Sequence, residues 1–176
     1  MLKYPNSIVG EPDLSIPRQD MEEAARMLPS PLYIINVVLD QNKSLAAVFS
    51  GYVIAAHRKG VTFFKQYASV DLVEHADIVI IEATEQSSES LYFVLSNMAA
   101  VIGTKKPIVN EGGMILLIAE CRNGIGAEII DELFSNISSP ADVLEKLRSQ
   151  PVQEGQWAAQ HLASYLSKWS IGMITS

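Results

Sequence analysis

Cysteine is nearly missing from this 176-residue chain, in which Cys121 stands alone. One thiol forms no intramolecular disulfide, and no zinc site of the CxxC type can be assembled from it. A reducing compartment, and so the cytoplasm, is the expected location. Positive charge is scarce as well. Thirteen Lys and Arg face twenty Asp and Glu, a formal net charge of −7. That balance argues against the clustered basic surface that nucleic acid requires. No apolar run approaches the length of a membrane span. The opening residues, Met1-Leu2-Lys3-Tyr4-Pro5, lack the apolar core of a signal peptide. Neither nucleic acid nor a membrane is an expected partner. What is there is 48% hydrophobic and 19% charged, an ordinary globular composition with length for a sizeable core.

The chain is organised around residues 112–126. A glycine pair, Gly112-Gly113, opens onto six apolar residues, 114–119, and a polar loop carries Gly124 and Gly126. An apolar run of that length between turn signals predicts a strand buried on both faces. Ile129, Ile130, Leu133 and Phe134 then recur at helical spacing. The stretch therefore reads as strand, glycine loop, helix, and loops at the carboxyl ends of strands are where open α/β sheets bind ligands.

Residues 1–18, with Pro5, Pro12 and Pro17, read as an extended, turn-rich lead-in. A helix is expected from an N-cap at Asp20 to Leu28, ahead of Pro29 and Pro31. Residues 32–39 and 45–49 are β-rich runs joined by Asp40-Gln41-Asn42-Lys43, an antiparallel hairpin. A helix over 53–67 follows. Beyond residue 70 the pattern changes to alternating strands and helices: strands near 77–81, 114–119 and 171–175, and helices over 91–102, 127–134, 140–148 and 156–168. Such alternation predicts parallel βαβ units. The expected fold is α/β: a small Rossmann-like three-layer core with parallel strands over 71–176, preceded by a helix, a β-hairpin and a connecting helix over 1–70.

Candidate chemistry is sparse. Gly124-Ile125-Gly126 is not a full GxGxxG fingerprint. Its glycines serve as turns or contact a ligand, and spacing leaves both open. His57, His75 and His161 have no His or Cys at metal-ligand spacing, so no metal site is expected. His57, beside Arg58 and Lys59, reads as a surface residue. Cys121 has no identifiable base and reads as an inert thiol. Glu82, Glu85 and Glu89 could act as acid or base, but Ser88 or Ser90 as N-cap with acidic groups near the helix start is the simpler reading. Trp157, at a helix start, plugs the core or walls a ligand pocket.

Several strings, taken together, resemble the C-terminal region of the lactate racemase family. They are 20–26 (DMEEAAR), 33–40 (YIINVVLD), 49–51 (FSG), 55–60 (AAHRKG), 77–80 (DIVI), 111–113 with 119–121 and 124–126, and 155–157 (GQW), in the family's order. The resemblance implies a racemase or epimerase that moves the α-hydrogen of a 2-hydroxy acid as hydride. It implies a nickel-pincer nucleotide held, with the catalytic histidines, by an N-terminal half that this chain lacks. No cofactor is therefore expected on this chain alone. It also implies an active-site Trp157, retains at Tyr92 the tyrosine of the family's Tyr-Gln-x-x-Lys helix start, and implies a small hydroxy-acid-like ligand near Tyr92, Trp157, Gly124 and Gly126. The family's Gly-Gly-aromatic-Pro run is replaced here by 82–90. Phe93 and Ser96 stand where the family's active-site Gln and Lys would be.

Two functions follow from the sequence. One is the C-terminal domain of a racemase-like protein, inactive alone, partnered by an N-terminal half or self-associated. The other is a stand-alone, non-catalytic binding or interaction module that kept the fold.

Overall fold

In the computed structural model, which describes residues 11–135 and 137–175, the chain divides into two compact units that meet in sequence between Asp71 and Leu72. The first holds a short 3-10 helix, Pro12–Leu14, then α1 (Ile16–Arg26), β1 (Tyr33–Leu39), β2 (Leu45–Tyr52) and α2 (Val53–Ala68). Helix α1 starts four residues before the expected cap at Asp20. Pro17 lies in its first turn, where the absent N–H breaks no intrahelical bond. Proline there starts a helix and does not mark a turn. Of the lead-in expected over 1–18, residues 1–10 lie outside the described residues, and 11–18 are the 3-10 helix and the first turn of α1.

Strands β1 and β2 form the expected antiparallel hairpin, with Tyr33 opposite Tyr52 and Val37 opposite Val48. The Asp40 carboxylate closes the turn by accepting from the backbone N–H of Asn42 at 2.8 Å and of Ser44 at 2.9 Å. Period-two alternation gives the hairpin two different faces. Ile34, Asn36, Val38, Ala47 and Phe49 are half-buried. Helix α2 packs on that side, where a Cβ on Gly60 would overlap the Asn36 amide. Tyr33, Ile35, Val37, Leu39, Leu45 and Val48 point the other way and are exposed. A buried carboxylate ties α1 to α2. Glu22, 3% exposed, accepts two 2.9 Å bonds from Arg58 and one of 3.3 Å from Arg26.

The second unit runs β3 (Ala76–Glu82), α3 (Leu91–Ile102), β4 (Val109–Ile118), α4 (Glu128–Phe134), α5 (Pro140–Ser149), α6 (Gln156–Leu166) and β5 (Ser170–Ile174). Its three strands are parallel, in the order β3-β4-β5. The expected α/β class, with a parallel sheet flanked by helices, is present. Each crossover steps in the same direction across the sheet, and right-handed crossovers then deliver every helix to one face. Burial agrees with this. Val79, Ile81, Ile115 and Leu117 enter one core with Leu95, Met98, Ile130, Leu133, Val143 and Ala159. Ile78 and Ile80 on the opposite face are 60% and 62% exposed, and Met114, Ile118 and Ile174 are exposed beside them. The run at 114–119 is therefore buried on one face, not two. The third layer of the expected core has no counterpart among the described residues of this unit.

Gly112 and Gly113 lie inside β4 and do not precede it. Ala76 pairs with Val109 and Ile78 with Met114, so residues 110–113 bulge opposite Asp77. Gly112 takes φ +75°, and a Cβ on Gly113 would sit 2.8 Å from the Asp77 carbonyl oxygen. Both positions demand glycine.

Candidate functional site

Two loops leave the carboxyl ends of β3 and β4, residues 83–90 and 119–127. They are bonded to each other. The N–H groups of Cys121 and Asn123 donate to the carbonyls of Ser88 and Glu89, at 2.7 and 2.8 Å. The backbone N–H of Glu120 donates to the Ser88 hydroxyl at 2.7 Å. At the start of α3, the N–H groups of Leu91 and Tyr92 donate to the carbonyls of Gly124 and Ile125, both at 3.0 Å. The glycine loop thus caps α3 with backbone carbonyls, and those amides are not offered to an anion. Ser90 holds the N-cap position in extended backbone without a side-chain cap bond, while Ser88 bridges the loops. Glu89 pairs with Arg122 at 2.9 Å, and no acidic residue stands in the first turn of α3. The acidic group nearest the helix start is thus Glu89, just ahead of the Ser90 N-cap. Gly124 takes φ +64° at the turn, and Gly126 takes φ +74° where an added Cβ would overlap the Ser90 side chain. Neither would accept an L side chain without strain.

Tyr92, one residue into α3, meets Trp157 at the start of α6. The indole Nε1 donates to the tyrosine hydroxyl at 3.0 Å, and the rings stand edge-on with centroids 5.2 Å apart. Gly155, in left-handed backbone at φ 81°, turns the chain so that α6 begins there. Beside the pair lies an open groove of about 500 Å3, lined by Tyr92, Gly126, Ala127, Glu128, Ile129, Glu132, Gln153, Glu154 and Gly155. Tyr92 and Gly126 are on its wall. Trp157 stands behind Tyr92, and Gly124 is not part of the lining. The structure thus brings three of the four residues singled out from sequence into one neighbourhood.

The sequence profile of the lactate racemase C-terminal domain matches residues 71–176. The chain belongs to the lactate racemase C-terminal domain family. Lactate racemase of Thermoanaerobacterium thermosaccharolyticum is 31% identical over 178 aligned positions, which cover 99% of this chain and 40% of that protein. The enzyme of the same name from Lactiplantibacillus plantarum is 30% identical over 151, covering 84% of this chain and 34% of that protein. The structure of the Thermoanaerobacterium lactate racemase apoprotein superposes with a TM-score of 0.86 at 29% identity, over 99% of this chain and 42% of that one. The chain spans about 40% of the length of these relatives.

In this lactate racemase C-terminal domain, Phe93 is 47% exposed and stands edge-on to Tyr92, 5.5 Å between centroids. Ser96 is exposed one turn further along α3. Neither supplies charge. The three histidines are scattered. His75 is exposed, its Nδ1 at 2.8 Å from the Pro107 carbonyl oxygen. His161 lies between Trp157 and Tyr165 on α6, its Nδ1 buried without a partner, and burial lowers its pKa. His57 is half-buried and not a surface residue. Burial first, and Arg18 second, lower its pKa. Burial raises the pKa of the Cys121 thiol, the opposite of an activated nucleophile.

Among the described residues, no three His, Cys, Asp or Glu side chains converge on a metal-sized position. These residues therefore offer no ready-made set of three side-chain donors for a bare metal ion. Sequence reasoning missed the carboxylates of Glu128, Glu132 and Glu154 on the groove. Only the Gly155-Gln156-Trp157 string pointed toward that wall. The bonding between the two loops left no side-chain pattern to read.

Proposed function

We propose that this chain is the C-terminal portion of a 2-hydroxy-acid racemase or epimerase, not competent alone. It would act with an N-terminal half, against which residues 1–70 would pack, and that half would hold the nickel-pincer nucleotide and the general bases. The observation that carries the reading is the Tyr92–Trp157 pair, bonded at 3.0 Å beside an open groove in a chain about 30% identical to lactate racemases. In this reading Tyr92 and Gly126, with Trp157 bonded behind Tyr92, wall one side of a substrate cleft that the N-terminal half completes. The location would be the cytoplasm, supported by the single unpaired cysteine.

One observation favours a second reading. Phe93 and Ser96 face outward from α3 at positions where the family resemblance implies Gln and Lys. A cleft without those polar groups suits a module that binds a small molecule and does not turn it over.

The test is racemisation of L-lactate followed by chiral chromatography. The chain is assayed alone and mixed with the separately expressed, cofactor-loaded N-terminal half of the Thermoanaerobacterium enzyme. We expect no turnover alone, turnover in the mixture, and loss of it with Trp157→Ala. Nickel or activity on the chain alone would overturn the dependence on a second half. A mixture without turnover, but with lactate binding to the chain seen by NMR titration, would establish the second reading.

A further inference from the structure

We propose that a small α-amino acid binds at the amino-terminal end of the parallel sheet, in a cavity beside the starts of β3, β4 and β5. The Tyr92 groove lies at the other end of these strands, and the inference is independent of the racemase reading. The cavity is open, about 310 Å3 in volume, and lined by His75, Val109, Asn110, Glu111, Lys168 and Trp169. That is the small end of the range for ligand pockets. Hydrogen bonds fix its wall. The Trp169 indole donates to the Asn110 carbonyl at 2.9 Å, and the Asn110 amide donates to the Asp77 carboxylate at 2.8 Å. The Gly112 N–H donates to the Lys168 carbonyl at 3.1 Å. The bulge at 110–113 is thus tied to β3 on one side and to the start of β5 on the other, and it places Glu111 in the cavity lining.

Three side chains in this lining have unused bonding capacity. His75 Nδ1 lies 2.8 Å from the Pro107 carbonyl oxygen. A carbonyl only accepts, so Nδ1 carries the proton and Nε2 of the neutral ring is left as an acceptor. Among the described residues Nε2 has no partner, the Glu111 carboxylate has no cation and the Lys168 ammonium has no carboxylate. Lys168 lies only over the Trp169 ring, 5.6 Å from its centroid. Glu111 and Lys168 therefore share one cavity without pairing, and this selects the ligand. A simple anion on Lys168 would face the Glu111 carboxylate, and a simple cation on Glu111 would face the Lys168 ammonium. A molecule with an ammonium and a carboxylate on one carbon satisfies both. Its carboxylate pairs with Lys168, and its ammonium donates to Glu111 and to His75 Nε2, all charge-assisted bonds. A quaternary ammonium has no proton to donate and is refused. Val109, 3% exposed, and Trp169, 7% exposed, give an apolar wall for a short aliphatic side chain.

The experiment is a titration of the 15N-labelled full chain with L-alanine, followed by two-dimensional NMR up to about 20 mM, which reaches well past a millimolar Kd. We expect saturable shifts of the Glu111 to Gly113 amides and of the Trp169 indole N–H, with a Kd of about 1 mM or tighter and the Trp157 indole unmoved. Acetate, methylammonium and N,N,N-trimethylalanine should each bind at least about 10-fold more weakly, since each lacks one of the charge-assisted bonds. These three probes use the wild-type chain, so they decide the matter even where a variant fails to fold. Glu111→Gln and Lys168→Met should each raise the Kd for L-alanine at least about 10-fold, and Lys168→Arg should keep most of the affinity. No shifts up to the highest concentration overturn the proposal. So does acetate or methylammonium binding as tightly as L-alanine, or a Kd that Glu111→Gln and Lys168→Met leave unchanged. Shifts confined to Tyr92, Trp157 and their neighbours overturn it too, because they would place the ligand in the other groove.

Discussion

The Trp157–Tyr92 bond is the residue-scale feature most open to measurement. It is a neutral hydrogen bond in a half-buried place, and such bonds contribute about 1 kcal/mol net. Trp157→Phe and Tyr92→Phe should each destabilise the second unit. A double-mutant cycle in urea should return a coupling of about 1 kcal/mol. Zero coupling would mean that the two rings are positioned by packing alone. His161 gives a pH dependence. Its folded-state pKa lies below the ordinary histidine value of 6.5 because burial disfavours the imidazolium. The unfolded chain therefore binds the proton more readily. Stability from this group is complete above pH 6.5 and falls as pH drops toward the folded value. His57 is shifted in the same direction and adds its own share. His161→Phe keeps an aromatic ring between Trp157 and Tyr165 and removes the proton site. Its unfolding midpoint should change less than wild type between pH 7 and about pH 5. An unchanged slope would assign the whole effect elsewhere.

At the scale of elements, two glycines decide how closely pieces approach. Gly60 lies mid-helix in α2, where alanine would ordinarily gain about 1 kcal/mol in propensity. Its Cβ would overlap the Asn36 amide on β1, so Gly60→Ala should destabilise the first unit. Asn36→Ala in the same chain should restore it, as seen by circular dichroism in urea. A stabilising Gly60→Ala alone would show that Asn36 moves aside freely. Gly126 is stricter. Alanine there meets both a positive φ and the Ser90 side chain, and should cost about 1–3 kcal/mol while loosening the cap on α3. These contacts explain what the sequence made legible. Helix α3 was readable to the residue, because Leu91, Val94, Leu95 and Met98 repeat at helical spacing ahead of Gly103. The hairpin was readable from two β-rich runs around Asp40. The start of α1 was not, because Pro17 serves both turns and first helical turns. The bulge at 110–113 was not, because two glycines before an apolar run look the same whether they turn the chain or kink a strand already begun. Tyr92 and Trp157 lie 65 residues apart. Their association came from family resemblance and had no local signal.

At the scale of the whole molecule, the two units differ in how well they provide for themselves. Every residue of the large buried cluster belongs to the second unit, from Val79 to Trp169. In the first, the buried apolar side chains among the described residues are Ile54 and Ala56 alone, beside the Glu22 ion pairs. The segment joining the units is open to solvent, with Val73 96% exposed. A unit of roughly 100 residues with one continuous core can fold alone, whereas a helix-backed hairpin with an open apolar face is marginal. Limited proteolysis should therefore cut first near residues 69–75. Residues 72–176 expressed alone should unfold in one cooperative step, followed by the fluorescence of Trp157 and Trp169. Residues 6–71 expressed alone should melt without a sharp transition by circular dichroism. A cooperative first unit would show that α1, α2 and the Glu22–Arg58 pair suffice to hold the hairpin. A non-cooperative second unit would show that the exposed sheet face at Ile78 and Ile80 must be covered before the parallel sheet can stand.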